Sequence, residues 1–265
     1  MSDPELRILD VRKTAVYKEG HIPNAISFDL SSISTVVKGV KGMLASIEKI
    51  ERVFGEKGIN NRNKIIIYGY TTGLVAARLF WVFDYMGHKN ISLLNGGWNN
   101  WTRENREVTQ KTPEMKKRIY NASPDPQKIV TGEWIFENLD DHNLVILDVR
   151  SQDEFTGTEA RSSRGGHIPG AVNLEWRKNL TQQGMIKSAV KLRNMFYKSQ
   201  IKKGKEIVVH CQTGLRAAQS YFVLRLLGYD QVRLYDGSWE EWGNNTRYPV
   251  ETGIGKVIRK SAATC

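Results

Sequence analysis

Two α/β domains in tandem, each a mostly parallel central sheet flanked by helices, are predicted by three features of this sequence. The chain has 265 residues, which at roughly 150 residues per domain leaves room for one to two. It also matches itself. Residues 64–101 align on residues 205–242 without a gap, at a constant spacing of 141, so that Thr72, Gly73 and Leu74 fall on Thr213, Gly214 and Leu215, and Trp98 falls on Trp239. Finally, each half alternates short β-branched runs with apolar segments of helical period, the pattern of parallel strands covered by helices on both faces.

The elements follow in order. ILDVR at Ile8 to Arg12 recurs at Ile146 to Arg150, and GHIP at Gly20 to Pro23 recurs at Gly166 to Pro169. The gap between the two segments is eight residues longer in the second half. This places an insertion around Gly157 to Arg164, polar and expected at the surface. Ile65 to Tyr68 and Ile207 to Val209 read as strands, each followed by a glycine-containing turn and then by a helix, Leu74 to Met86 and Leu215 to Leu227. Gly87 and Gly228 stop these helices, and the runs Ile91 to Leu94 and Val232 to Tyr235 read as the next strands. A helix expected at Glu133 to Leu139 has no counterpart before the first ILDVR, so the first domain is expected to be trimmed. Residues 111–128 hold three of the seven prolines and a basic cluster without apolar period. They read as a linker with a solvated charged face, giving domains at 1–110 and 129–265.

Composition excludes several classes of function. Apolar residues make up 40% of the chain and charged residues 25%, enough to bury a core and too little charge for disorder. The formal charge of +11 attracts small anions or acidic partners without choosing among them. No apolar run reaches the roughly 18 residues of a membrane span, and the start MSDPELRILD lacks the basic and apolar regions of a signal peptide, so a cytoplasmic location is expected. Cys211 and Cys265 are the two cysteines, too few for a disulfide framework or a cysteine-rich zinc site. No metal constellation is visible among the five histidines, and no phosphate-binding glycine loop follows a strand, so neither a metal nor a nucleotide cofactor is indicated. No nucleic-acid motif or aromatic-basic platform accompanies the positive charge.

The duplication supplies its own control: what both copies keep is explained by their shared fold, and what one copy changes needs another reason. Asp10 with Arg12 and Asp148 with Arg150 are shared and read as strand-end ion pairs. His21 and His167 are likewise structural, and Trp98 and Trp239, with Trp101 and Trp242 three residues on, are expected to pack on their domains. The copies differ where the first has Gly69-Tyr70-Thr71 and Val75 while the second has His210-Cys211-Gln212 and Arg216. Cys211 follows a strand and opens a turn into a helix, where converging N–H groups and the helix dipole stabilise a thiolate. Arg216 adds a fixed positive charge. Adjacent strand residues face opposite ways, so His210 should point away from the sulfur. Tyr70 cannot replace a thiolate nucleophile, and the first domain is expected to be catalytically silent. Cys265 reads as a mobile terminal thiol.

The duplicated ILDVR and GHIP segments, the loop Cys211-Gln212-Thr213-Gly214-Leu215-Arg216 and the segment Asp236-Gly237-Ser238-Trp239 together resemble the rhodaneses, tandem-domain sulfurtransferases with the active cysteine in the second domain. The resemblance covers nearly the whole chain and implies two rhodanese-like domains. It implies that Cys211 takes a sulfane sulfur from a small anionic donor, holds it as a persulfide, and passes it to a thiophilic acceptor such as cyanide or a thiol. Amides from Gln212 to Arg216 would cradle the persulfide, with Arg216 anchoring the donor's charged end. Thiosulfate is the donor expected, because the arginine-containing loop is most like that of bacterial thiosulfate sulfurtransferases. 3-Mercaptopyruvate is the alternative, but the related enzymes continue the cysteine with Gly-Ser-Gly-Val-Thr. Glu154 stands here where the animal enzymes have an arginine, and Thr213 where the mammalian thiosulfate enzymes have a lysine; Arg161 and Arg164 in the insertion are candidate substitutes.

Two further readings compete. Cysteine-dependent phosphatases also follow His-Cys with a loop ending in arginine, but they place one residue more between cysteine and arginine than the four found here. A non-catalytic binding module is the other, disfavoured by the intact loop in the second half.

Overall fold

The structure is a computed structural model that describes residues 3–71 and 73–254; Thr72 and Cys265 lie outside the described residues. In the first half, β1 (Leu6–Asp10), α1 (Thr14–Glu19) and β2 (Ala25–Ser27) precede a hairpin of β3 (Ser34–Val37) and β4 (Val40–Leu44). Next come α2 (Ile47–Glu56), β5 (Lys64–Tyr68), α3 (Leu74–Tyr85), β6 (Ile91–Leu93) and α4 (Gly97–Arg103). The second half runs β7 (Ile129–Val130), α5 (Gly132–Glu137), β8 (Leu144–Asp148), α6 (Gln152–Thr156), β9 (Val172–Asn173), α7 (Ala189–Lys198), β10 (Glu206–His210), α8 (Leu215–Leu226), β11 (Val232–Tyr235) and α9 (Ser238–Trp242).

Two parallel sheets result, ordered β2-β1-β5-β6 and β7-β11-β10-β8-β9. The second is the first with β7 added at one edge. The register follows the repeat with a one-residue slip: Asp10 pairs with Tyr68 and Asp148 with His210. This matches β5 to β10 at a spacing of 142 where the sequence alignment has 141, so the loop after β5 is one residue longer than the loop after β10. Both strand ends therefore deliver the following residue, Gly69 or Cys211, to the same edge of their sheets. Helices α3 and α8 begin where expected and end one residue sooner, because Met86 and Leu227 act as caps.

A cluster of buried apolar residues runs through both halves, including Ile67 and Phe83 from the first and Val209 and Tyr221 from the second, while separate clusters around Tyr68 and around Trp239 belong to one half each. The junction is α3 against α8, with Phe80 and Phe222 edge to face at 4.8 Å. The Tyr221 hydroxyl donates to Asp84 across it at 2.6 Å. Each helix is thus covered by its own sheet on one side and by its duplicate on the other, which is why neither shows a clean polar face.

Residues 111–125 form no regular element, yet they are laid on the first half. Arg118 N–H donates to Gly55 O, Ser123 N–H to Met86 O and Asp125 N–H to Tyr85 O, at 2.8–3.0 Å, while Tyr120 is buried against Phe54 and His88. Lys116 and Lys117 face solvent. The β3–β4 hairpin, absent from the sequence-based expectation, turns through Lys38 and Gly39 at positive φ, the geometry a tight hairpin needs. It crosses to the second half, where Leu44 N–H donates to Asp236 Oδ2 at 2.8 Å. Among the described residues, no helix is long and apolar enough to cross a membrane, and no cluster of ligating side chains could hold a metal ion.

Candidate active site

Cys211 sits just past the end of β10 and is 1% exposed. The chain then turns through Gln212, Thr213 and Gly214 into α8. Gly214 takes φ 84°, a left-handed conformation that glycine adopts without steric cost, and this aims its N–H at the Cys211 Sγ, 3.2 Å away. Helical hydrogen bonding starts only with Ala218 N–H to Gly214 O at 2.9 Å. The amides of Leu215, Arg216 and Ala217 therefore precede it without intrahelical acceptors, the positive end of the helix.

A second loop clamps the first. Trp239 N–H donates to Cys211 O at 3.0 Å and Glu240 N–H to Gln212 O at 2.9 Å. Cys211 N–H donates to Ser238 Oγ at 3.3 Å, and that hydroxyl donates to Tyr235 O at 2.8 Å. Ser238 holds φ 49°, a strain on the order of 1 kcal/mol for a residue with a side chain. Its counterpart Gly97 has φ 53°, and a Cβ there would lie 2.4 Å from Gly69 O. A serine in this position is tolerated only in the copy that has the cysteine. The Gly97–Ser238 difference was visible in the sequence, and it marks a site residue to which sequence reasoning gave no role.

Arg216 does reach the loop region, but its guanidinium is not free. Nη1 and Nη2 donate to the two oxygens of Glu154 at 2.6 and 2.8 Å. Burial works against the Glu154 charge, yet the Arg216 hydrogen bonds and charge, helped by the Ser151 amide and by Arg161, hold this carboxyl down to about 2. The same contact keeps Arg216 protonated against burial, and Cys211 adds to the effect. Ser151 and Glu154 form a capping box on α6, a signature readable from their spacing, but the pairing to Arg216 joins residues far apart in sequence. Gln212 turns away from the sulfur, its side-chain amide donating to Ser162 Oγ and Glu240 Oε2, each at 3.0 Å. Thr213 and Leu215 line a cavity of about 250 Å³ shared with Leu30, Ser34, Lys41, Gly42 and Arg78 of the first half. The insertion lies at the surface and is pinned there: Arg164 donates to the carbonyls of Gly243, Trp242, Asn245 and Tyr248. That leaves Arg161 as its exposed arginine, 3.6 Å from Glu154.

The shared residues are structural. Arg12 pairs with Asp10 and donates to Gly20 O, and Arg150 does the same with Asp148 and Gly166 O. The two guanidinium groups stack on Trp98 and Trp239 at 3.8 and 4.3 Å. His21 and His167 are buried with ring nitrogens on carbonyl oxygens. Tyr70, which the repeat spacing aligns with Cys211, is 49% exposed. The strand register and the matching bonds of Trp98 N–H to Gly69 O and Trp239 N–H to Cys211 O, however, put Gly69 at the place of the cysteine, with Tyr70 one residue further along the loop.

His210 faces Asp148, Nε2 to Oδ2 3.6 Å, and its Nδ1 lies 3.4 Å from Cys211 O. Burial outweighs the pull of Asp148, and with Arg150 opposing a second charge the imidazole is pushed down to about 4. It is therefore neutral at physiological pH. A histidine depressed in the folded state contributes fully above its unfolded value near 6.5, and that stability is lost as pH falls toward 4. Between pH 7 and pH 5 the native protein should lose about 2 kcal/mol more than His210→Gln, measured by urea denaturation at the two pH values; parallel losses would refute a buried neutral imidazole.

A family model for the rhodanese-like domain matches residues 1–104 and 131–245. The thiosulfate sulfurtransferase of Azotobacter vinelandii is 33% identical over 251 residues, covering 95% of this chain and 93% of its own length. The sulfur carrier protein TtuD of Thermus thermophilus is 34% identical over 269 residues, covering 96% and 93%. Among solved structures, wild-type EanB superposes with a TM-score of 0.86 at 23% identity, over 96% of this chain and 65% of that one, a likeness of fold. Two matched segments, one in each copy of the duplication, agree with the two sheets and with the single cysteine loop at the end of β10, and the chain belongs to the rhodanese family.

Proposed function

We propose that this sulfurtransferase takes its sulfur from thiosulfate and carries it on Cys211 to cyanide or a thiol. The observation that supports this most is the Gly214 N–H on the Cys211 sulfur, at the positive end of α8 and beside amides with no intrahelical acceptor. The Cys211 thiolate attacks the outer sulfur of thiosulfate; the sulfur–sulfur bond of the donor breaks, and sulfite leaves with the electron pair. The persulfide anion is held by the loop amides of Gln212 to Arg216. Attack by cyanide on the outer sulfur then releases thiocyanate and restores the thiolate. Splitting the transfer through a covalent intermediate gives ping-pong kinetics. In this reading residues 129–265 carry the chemistry, residues 1–110 are silent, and 111–128 join them.

Thiosulfate is preferred over 3-mercaptopyruvate on charge and geometry. A short dianion gains most from amides and a guanidinium. A keto acid needs arginines free to grip its carboxylate, and Arg164 is taken up by four carbonyls. With cyanide as acceptor and the two donors compared side by side, thiosulfate should give the higher kcat/KM, and Arg216→Ala should lower it. A reversed donor preference would transfer the assignment to the keto acid. Hydrolysis of an aryl phosphate that is lost in Cys211→Ser would instead indicate a phosphatase.

A further inference from the structure

The half without a cysteine sends an arginine to the sulfur loop. Arg78 belongs to α3, but its side chain is 4% exposed and its polar contacts lie at the other half and at the hairpin. Nη2 donates to Gly42 O at 3.1 Å and pairs with Asp236 Oδ1. The guanidinium stacks on Trp81 at 4.4 Å. Nη1 is buried without a hydrogen-bond partner, and a Cβ placed on Gly214 would lie 2.9 Å from it. Gly214 is the residue whose N–H reaches the Cys211 sulfur.

The duplication again provides the control. At the repeat spacing, Arg78 corresponds to Gln219 and Asp236 to Asn95, and these two line a small cavity with Tyr70 and Gly73 of the silent loop. Ile186 N–H donates to Asn95 Oδ1 at 3.0 Å, just as Leu44 N–H donates to Asp236 Oδ2 at 2.8 Å. The contact of Asp236 or Asn95 with the crossing segment is kept on both sides. Gln219, however, accepts from Asn179 Nδ2 at 2.8 Å and its Nε2 has no hydrogen-bond partner, so the two residues pair across the halves only on the side of the cysteine. The fold is satisfied without a charge at either position, so a buried ion pair with an orphaned guanidinium N–H, which costs more to desolvate than an orphaned amide, needs another reason.

We propose that Arg78 is a positioning residue for sulfur transfer: from the silent half it braces Gly214 and Asp236 so that the Gly214 N–H stays on the sulfur, and its unshared N–H edge adds positive potential behind the loop. This rests on Cys211 being the sulfur carrier. The other charged groups around the loop are Arg216 with Glu154 and Arg161, Asp236, His210 with Asp148 and Arg150, Glu240 through Gln212, and Lys41 from the hairpin.

The test is the pH profile of Cys211 alkylation by iodoacetamide in the full chain, with Cys211 followed by peptide mass so that Cys265 does not interfere. Arg78→Gln should raise the midpoint by roughly one unit and lower kcat about tenfold, with KM for thiosulfate changed less than about twofold. Arg78→Lys, which keeps the charge, should restore most of the midpoint. Should Arg78→Gln fail to fold, Asp236→Asn is the second variant: it leaves the arginine uncompensated and should lower the midpoint. A folded variant with the native midpoint and kcat overturns the proposal and makes Arg78 an interface brace only. Failure of the native protein to take up sulfur would overturn the sulfur-transfer reading instead, and the alkylation midpoint would still decide whether Arg78 acts on the loop.

Discussion

Cys211→Ser should eliminate sulfur transfer, with a fall in rate on the order of 10³ or more and no single-sulfur mass increment after exposure to thiosulfate. A serine hydroxyl fits the same space and can accept the Gly214 N–H, so the fold should be retained and the loss should be chemical. At neutral pH an alcohol is not ionised, and it cannot form the sulfur–sulfur bond that holds the cargo. No other described residue is positioned to take over. Cys211 is the free cysteine among the described residues, and the matching loop of the first half presents a half-exposed phenol at Tyr70. A serine variant that still gains one sulfur would move the carrier elsewhere and remove the basis for assigning the site.

The duplication made the strand and helix pairs legible because each copy checks the other's register. Ile65 to Tyr68 with Ile207 to Val209, and the helices after them, were readable to within a residue or two. The β3–β4 hairpin was not, since Ser34 to Leu44 has no recognisable duplicate and its neighbours lie in the other half. Helix α7 was missed because it buries few apolar side chains, Leu192 and Phe196, too few for a firm helical period. Cys211 was found through asymmetry between the copies. Its partners were harder: Glu154 with Arg216 and Arg78 with Asp236 join residues 62 and 158 positions apart, and nothing local specifies such pairs. What local sequence did show was an arginine inside the apolar run Leu74 to Phe83, a charge the core would not hold unless it were paired.

The Arg216–Glu154 pair carries the largest stability effect expected at the site. Arg216→Met leaves Glu154, 2% exposed, without its main counter-charge, so the carboxyl must either stay ionised at a cost or take up a proton. A folded value of about 2 against an unfolded one near 4.5 corresponds to roughly 3 kcal/mol at neutral pH, which agrees with the cost of breaking a buried pair. The sign follows from the depression: in the native protein this contribution is complete above pH 4.5 and fades as acid approaches pH 2. Urea denaturation at pH 7 should show the loss in Arg216→Met, and the variant should no longer lose that stability on acidification. Adding Glu154→Gln removes the stranded charge and should recover most of the stability. The double variant also separates the two roles of the arginine. If Arg216 anchors the donor, the stable double variant keeps a raised KM for thiosulfate; if KM returns to the native value, the guanidinium serves only to hold α6 against the loop. The anchor is the expected result, because the approaching dianion can share a guanidinium that Glu154 has already oriented and desolvated, a cheaper arrangement than ordering a mobile arginine anew.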